Sequence, residues 1–281
     1  MSDVSDLWSS TDFPYACLRD RRRTGTLGRV VEATVRPGDT VLDAGAGTGI
    51  LSLYAARAGA RRVYAVEQDP VLCRFLRDTV GRNGYNDVIT VVEGDARLVA
   101  LPTVDVALVE MVETGLVEEH LVEVYNALVD RAVVDPRTRC LPAAYRTFVQ
   151  PVATDDQFEG FHVVALRHDW STYDQDPQLW GTSGWTATGD PVAVWSGAFA
   201  ARPLDPTVSV RLEVPDPRAD ALRLTGELTM PDGSTAADFP TLNGPKIIPL
   251  APRPPGGEAL QLDYRMSGGF AGFTTTWLVD G

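Results

Sequence analysis

The chain has few cysteines, no long apolar run and a deficit of positive charge, and each shortage excludes a class of protein. Cys17, Cys73 and Cys140 are isolated and odd in number within 281 residues. They offer neither a disulfide framework nor metal-ligand spacing, so reduced structural thiols and no metal are expected. No stretch approaches the ~20 apolar residues of a membrane span. The first ten residues, MSDVSDLWSS, are polar and acidic, unlike a secretory signal. A cytoplasmic location with no membrane partner is therefore expected. Against 38 Asp and Glu stand 25 Lys and Arg, a formal net charge of −13. Nucleic-acid binding gains most of its affinity by neutralising phosphates, which an acidic chain would do against its own field. No nucleic-acid partner is expected, and a cationic one suits the charge better. Internal repeats and low-complexity segments are also missing, apart from a linker-like run from Pro252 to Gly257.

What is present begins with a globular composition, 44% hydrophobic and 22% charged. The chain is organised around Val41 to Gln68, VLDAGAGTGILSLYAARAGARRVYAVEQ, which reads as strand, glycine loop, helix, strand. Asp43 ends the first strand at the mouth of the loop. Gly45, Gly47 and Gly49 let the backbone approach a ligand closely. Thr48 is expected to cap a helix whose apolar face is Ile50, Leu51, Leu53, Tyr54 and Ala58. Val63 to Val66 forms the second strand and ends in Glu67, where a carboxylate can accept both hydroxyl protons of a ribose. Ile50 occupies the place of the third dinucleotide glycine. That favours a nucleoside without a pyrophosphate over NAD.

Two short helices are expected between Ser10 and Arg36, the second around Leu27 to Val35, with Arg19, Arg21, Arg22 and Arg23 just ahead of it. Asp69-Pro70 starts a helix with Val71, Leu72, Phe75, Leu76 and Val80 inward. A third strand, Val88 to Val92, leads to Gly94-Asp95-Ala96. The fourth, Val104 to Val109, runs into Glu110-Met111-Val112-Glu113-Thr114-Gly115-Leu116-Val117-Glu118-Glu119. Open α/β sheets place their chemistry at such strand ends. Glu118 and Glu119 can equally open the helix that follows, His120 to Asp130. From Cys140 onward helical periodicity gives way to short β-rich runs: Thr147 to Val152, Val163 to Leu166, Val192 to Phe199, Val208 to Val214, Leu222 to Leu228, Ala259 to Arg265 and Phe273 to Val279. The expected fold is α/β, a Rossmann-like domain followed by an antiparallel β-barrel or sandwich. The expected divisions are 1–36 (helical lid), 37–141 (cofactor domain) and 142–281 (substrate domain).

The glycine stretch and its acidic strand end resemble motif I of class I S-adenosylmethionine (SAM) methyltransferases. GTGILSLYAARAGARRVYAVE is most similar to the protein arginine methyltransferase branch. The resemblance implies SAM as cofactor, with Asp43 and the glycines in its site and Glu67 on the ribose. Leu18-Arg19-Asp20-Arg21-Arg22-Arg23 matches that family's L-x-D-x-x-R segment. Arg23 would then hold the SAM carboxylate and Asp20 would lie near the methyl-transfer centre, under a lid whose aromatics are Phe13 and Tyr15. Asp95, beside Ala96, would accept from the adenine amino group, although Arg97 stands where the family has a glutamate. Glu110 and Glu119, or the adjacent Glu118, match a pair of glutamates that grips the guanidinium. The family's Thr-His-Trp loop is missing: Asn243-Gly244-Pro245-Lys246 stands at its place, and His168-Asp169-Trp170 reads as a surface turn. In the family a helical arm closes a ring-shaped homodimer. The helix-permissive candidate, Thr154 to Trp185, is broken by Gly160, Pro177 and Gly181. A homodimer therefore stays open, and free L-arginine or a small arginine-like metabolite is the expected acceptor. The alternatives are arginine in a protein or peptide, and a non-catalytic SAM-binding regulatory module.

Overall fold

The computed structural model describes residues 11–168, 184–199, 203–237 and 240–279. Its first half is built on a parallel sheet of β1 (Thr40–Ala44), β2 (Arg62–Glu67), β3 (Ile89–Glu93), β4 (Val106–Val109) and β5 (Arg139–Leu141), in the order β3-β2-β1-β4-β5. Every residue of β1 and β4 is buried. That explains the continuous apolar sequence of β4 and of Val41-Leu42 in β1, since a parallel sheet is covered on both faces. The strand order reverses at β1, so the carboxyl ends of β1, β2 and β4 open a crevice, where ligands of such sheets bind.

The helices are α1 (Phe13–Arg19), α2 (Arg21–Thr34), α3 (Ile50–Arg57), α4 (Pro70–Arg82) and α5 (Leu121–Asp130). α2 begins earlier than its apolar residues suggest. Asp20 caps it by accepting from the Arg23 N–H at 2.9 Å, so Arg21, Arg22 and Arg23 form its first turn. Thr48 does not cap α3. The N-cap is Gly49 at φ +81°, with no side-chain cap. That left-handed φ favours glycine, and a Cβ on Gly49 would sit 2.3 Å from Leu76 Cδ1, so the leucine would have to move. On α4, Leu72, Leu76 and Val80 are buried, but Val71 (38% exposed) and Phe75 (56%) face solvent rather than the core. Leu121, Val124, Tyr125 and Leu128 of α5 are buried as their spacing requires.

In the second half, the strand Ala144–Asp155 is central. It pairs antiparallel with Ala221–Thr229 on one side and with Gly184–Ala187 and Val192–Ala198 on the other. Ala221–Thr229 pairs onward with Lys246–Pro249 and Thr235–Ala237. Thr207–Glu213, Gly257–Arg265 and Thr274–Val279 make a separate three-stranded sheet. Among the described residues these sheets do not close into a barrel, so the sandwich form of the expectation is the one that applies. The segment 163–166 is not a strand; Val163, Val164 and Leu166 are exposed, and the Val163 N–H makes a single bond, to the Asp156 carbonyl at 3.0 Å. His168 lies in a two-residue strand against Lys246–Pro249, not in a surface turn; Asp169 and Trp170 fall outside the described residues. Within the arm candidate Thr154 to Trp185, two-residue strands stand at Gln157–Phe158, Phe161–His162 and Arg167–His168 with turn or loop between them, and 169–183 fall outside the described residues.

Candidate active site

A cleft of about 1120 Å³, including its open mouth, is lined by the ends of β1, β2 and β4, the 94–97 turn, the 110–120 loop and α1. Asp43, Gly45, Gly47, Glu67, Asp95, Ala96, Glu110, Glu119 and Arg23 all line it. Asp20, Gly49 and Glu118 do not.

Glu67 is buried at the end of β2. Its Oε2 accepts from the Gly47 N–H at 2.9 Å and its Oε1 from the Asp69 N–H at 2.8 Å. The carboxylate thereby fixes the glycine loop, and each oxygen keeps a lone pair for a ligand hydroxyl. Gly45 and Gly47 hold φ of +72° and +52°, a region other residues adopt at a cost. Asp43 is 1% exposed and accepts from Ser52 Oγ at 2.6 Å. Burial pushes its carboxyl up to about 7, against the opposing Ser52 bond. Asp95 is engaged on both oxygens by the Arg97 guanidinium, at 2.7 to 3.0 Å. Burial raises its pKa, but the Arg97 bonds prevail and hold it below the usual range. Arg97 also reaches Glu123 at 3.2 Å. At this end of the cleft Arg97 is thus a structural partner of Asp95, where the sequence showed only a departure from the family pattern.

The other end holds the acids. Arg23 of α2 pairs with Glu110 at the end of β4, and both side chains are nearly buried. Arg23 Nε is buried with no partner, so its donor fork is only partly used. Burial pushes the Glu110 carboxyl up, against the pull of Arg23. Glu119 shares the cleft, and burial, then the charges of Glu110 and Glu113, push its pKa up to about 8. The two adjacent glutamates therefore differ in direction: Glu119 faces the cleft, whereas Glu118 is exposed and pairs with Lys246. Asp20 sits behind the wall. Its Oδ1 caps α2, and its Oδ2 accepts from Thr241 Oγ1 at 2.8 Å. Thr241 lines the cleft and was missed in the sequence. It lies two residues before Asn243-Gly244-Pro245-Lys246, and a search for any hydroxyl or imidazole donor to Asp20 would have reached it. Phe13 lines the cleft, whereas Tyr15 is 63% exposed and borders a shallower groove beside Val71 and Phe75.

The chain is similar to known methyltransferases. Residues 22–146 match the TRM5/TYW2 methyltransferase domain. An uncharacterised protein of Methanocaldococcus jannaschii is 26% identical over 258 residues, covering 90% of this chain and 92% of the relative. An arginine N(omega)-methyltransferase of Streptomyces achromogenes subsp. streptozoticus is 34% identical over 148 residues, half of this chain and 40% of that protein. The chain thus spans less than half the length of this named relative. Among solved structures, the Trypanosoma brucei PRMT1 enzyme-prozyme complex with AdoHcy superimposes with a TM-score of 0.62 at 19% identity, covering 88% of this chain and 85% of that one. At that identity the likeness concerns the fold.

Proposed function

We propose that this chain, a class I SAM-dependent methyltransferase resembling the protein arginine methyltransferases, methylates a guanidinium nitrogen, with free L-arginine or a small arginine-like metabolite as acceptor. The observation that carries the reading is the convergence of Glu110 and Glu119, from the two ends of one loop, on the cleft that also holds the glycine loop and Glu67.

The residues fit SAM. Glu67 suits the ribose, and the Arg23 guanidinium at the cleft wall suits a carboxylate. The start of α3, which has no side-chain cap, leaves first-turn N–H groups beside the cleft, whereas those of Gly45, Ala46 and Gly47 are bonded within the chain. SAM supplies a methyl group activated by a sulfonium. The chain's own task is to make a guanidinium nucleophilic, since its pKa exceeds ~12 and its lone pairs are delocalised. Two carboxylates accepting from two of its nitrogens draw positive charge toward them and leave density on the third. They also orient it for in-line attack. An incoming cation favours the ionised form of Glu119. Once the cation's charge is shared, the raised proton affinity of Glu119 suits it to take the departing proton. Thr241 holds Asp20 through a hydroxyl, which cannot shuttle a proton as an imidazole does, so the loop acids are the bases available.

Thr241 in place of a histidine-bearing wall favours a small acceptor, as does a relative named for arginine itself. Initial rates with labelled SAM on L-arginine, N-acetyl-arginine amide and a glycine–arginine peptide test the reading. L-arginine is expected to be fastest. Methylation of the peptide without methylation of free arginine would replace the small acceptor with a protein one.

A further inference from the structure

Lys246 is the only lysine among the chain's 25 lysine and arginine residues, and it is buried at 5% exposure. Its Nζ lies 2.7 Å from Glu113 Oε2, 2.8 Å from Glu118 Oε2 and 4.6 Å from the centre of the Phe270 ring. An arginine presents a wide planar fork, whereas an ammonium is a compact point charge with three rotatable donors. The narrow gap between two carboxylates and a ring face is a place for the second.

The acids it holds belong to the loop that ends in Glu119. That loop is anchored to the β-rich half along its length. The Gly115 N–H donates to Tyr145 Oη at 3.0 Å, and Tyr264 Oη donates to the Gly115 carbonyl at 3.0 Å. Thr114 Oγ1 bonds the Gly244 carbonyl. The Gly269 N–H donates to the Val117 carbonyl at 2.8 Å, and Ser267 Oγ to the Glu119 carbonyl at 2.9 Å. Glu113 Oε1 accepts from the Glu118 N–H at 2.8 Å, which joins both acids held by Lys246 into one turn. Lys246 is the single side-chain cation in this set of anchors.

We propose that Lys246 is a positioning residue for the acceptor acid: it ties Glu113 and Glu118 back to the β-rich half, so that Glu119 is the late acid of the loop that faces the cleft. The inference rests on the assignment of Glu119 to the acceptor made above. Without Lys246, Glu113 and Glu118 would compete for the guanidinium from positions that cannot align it. The charge field around Glu119 would change as well. Arg23 of α2, Glu110 at the end of β4, Glu113 of its own loop, Cys17 of α1 and Lys246 face it. Of these only Arg23 and Lys246 favour its ionised form.

The test uses the S-adenosylhomocysteine complex of Lys246→Met. Carboxyl signals of ¹³C-glutamate-labelled protein, with Glu119 assigned through Glu119→Gln, should show Glu119 titrating roughly 0.5–1 pH unit higher than in the wild type. The KM for L-arginine should rise about tenfold or more, while S-adenosylhomocysteine affinity stays within about twofold, because Lys246 is outside the cofactor end. Lys246→Arg, which keeps the charge, should restore the titration in larger part than the KM. If Lys246→Met does not fold, Lys246→Met/Glu113→Gln removes one charge of each sign; because Glu113 acts on Glu119 more strongly than Lys246, Glu119 should then titrate at or below its wild-type pH while the KM stays raised. A folded Lys246→Met protein with either its Glu119 titration or its KM unchanged overturns the proposal, as does a folded double variant with a wild-type KM. A wild type that methylates no guanidine overturns the acceptor assignment instead, and the Glu119 titration alone then decides the positioning role.

Discussion

Glu119→Gln should make the ligand-free protein more stable at alkaline pH and leave it nearly unchanged at acid pH. The carboxyl of Glu119 is pushed from an ordinary 4.5 up to about 8, chiefly by burial and then by Glu110 and Glu113. Below pH ~4.5 the group carries its proton in both folded and unfolded chains, and it costs nothing. Between ~4.5 and ~8 the unfolded chain loses that proton while the folded chain keeps it, so folding stability falls as pH rises. Above ~8 the folded chain ionises too, and the full penalty is present. At ~1.4 kcal/mol per pH unit, a rise from 4.5 to about 8 comes to roughly 5 kcal/mol. Solvent at the cleft mouth and relaxation of the loop reduce this to about 2–3 kcal/mol. Glutamine keeps the shape and does not ionise. Urea midpoints of wild type and variant at pH 5, 7 and 9 and constant ionic strength measure the difference. Asp43, raised to about 7, adds its own slope, but it is common to both proteins and cancels. A variant whose advantage is the same at all three pH values would mean that Glu119 is ionised in the folded protein, and the proposed proton acceptor would be lost.

Two further perturbations separate the ends of the cleft. Glu110→Gln removes the partner of Arg23 and frees its fork, so S-adenosylhomocysteine should bind as well as to wild type or better, while methyl transfer falls about 10²–10³-fold. Calorimetry with single-turnover rates checks this, and full activity would remove Glu110 from the acceptor site. Glu67→Ala removes a carboxylate whose charge-assisted bonds are worth ~1.5–3 kcal/mol each. The Kd for S-adenosylhomocysteine should rise roughly 10- to 150-fold per bond lost. An unchanged Kd by calorimetry would end the assignment of Glu67 to the ribose.

How much of this was legible in the sequence depends on how local the determinants are. β1, the glycine loop, α3, β2 and Glu67 were readable because each step is decided within a few residues: strand apolarity, positive φ at glycine, helical spacing, an acid at the strand end. Even there the cap was misread. The start of α3 needs φ +81° and room beside Leu76, so glycine occupies the N-cap and Thr48 does not. Val163 to Leu166 looked like a strand by composition, yet pairing requires a neighbour, and no local pattern supplies one. The choice between Glu118 and Glu119 was undecidable for a related reason. The loop carries Gly115 at φ +78° and Leu116 at φ +56°, so neither helical nor strand periodicity says which way an acid points. That direction is set by Tyr145, Gly244, Lys246, Tyr264, Ser267 and Gly269. The Thr241 bond to Asp20 is of the same kind, joining α2 to a residue from the far half of the chain. On the proposed reading, the first half carries the cofactor site in locally readable sequence, whereas the acceptor site takes shape only when the β-rich half takes hold of the loop. Changes at those anchoring positions should alter which acceptor is methylated while leaving cofactor binding in place.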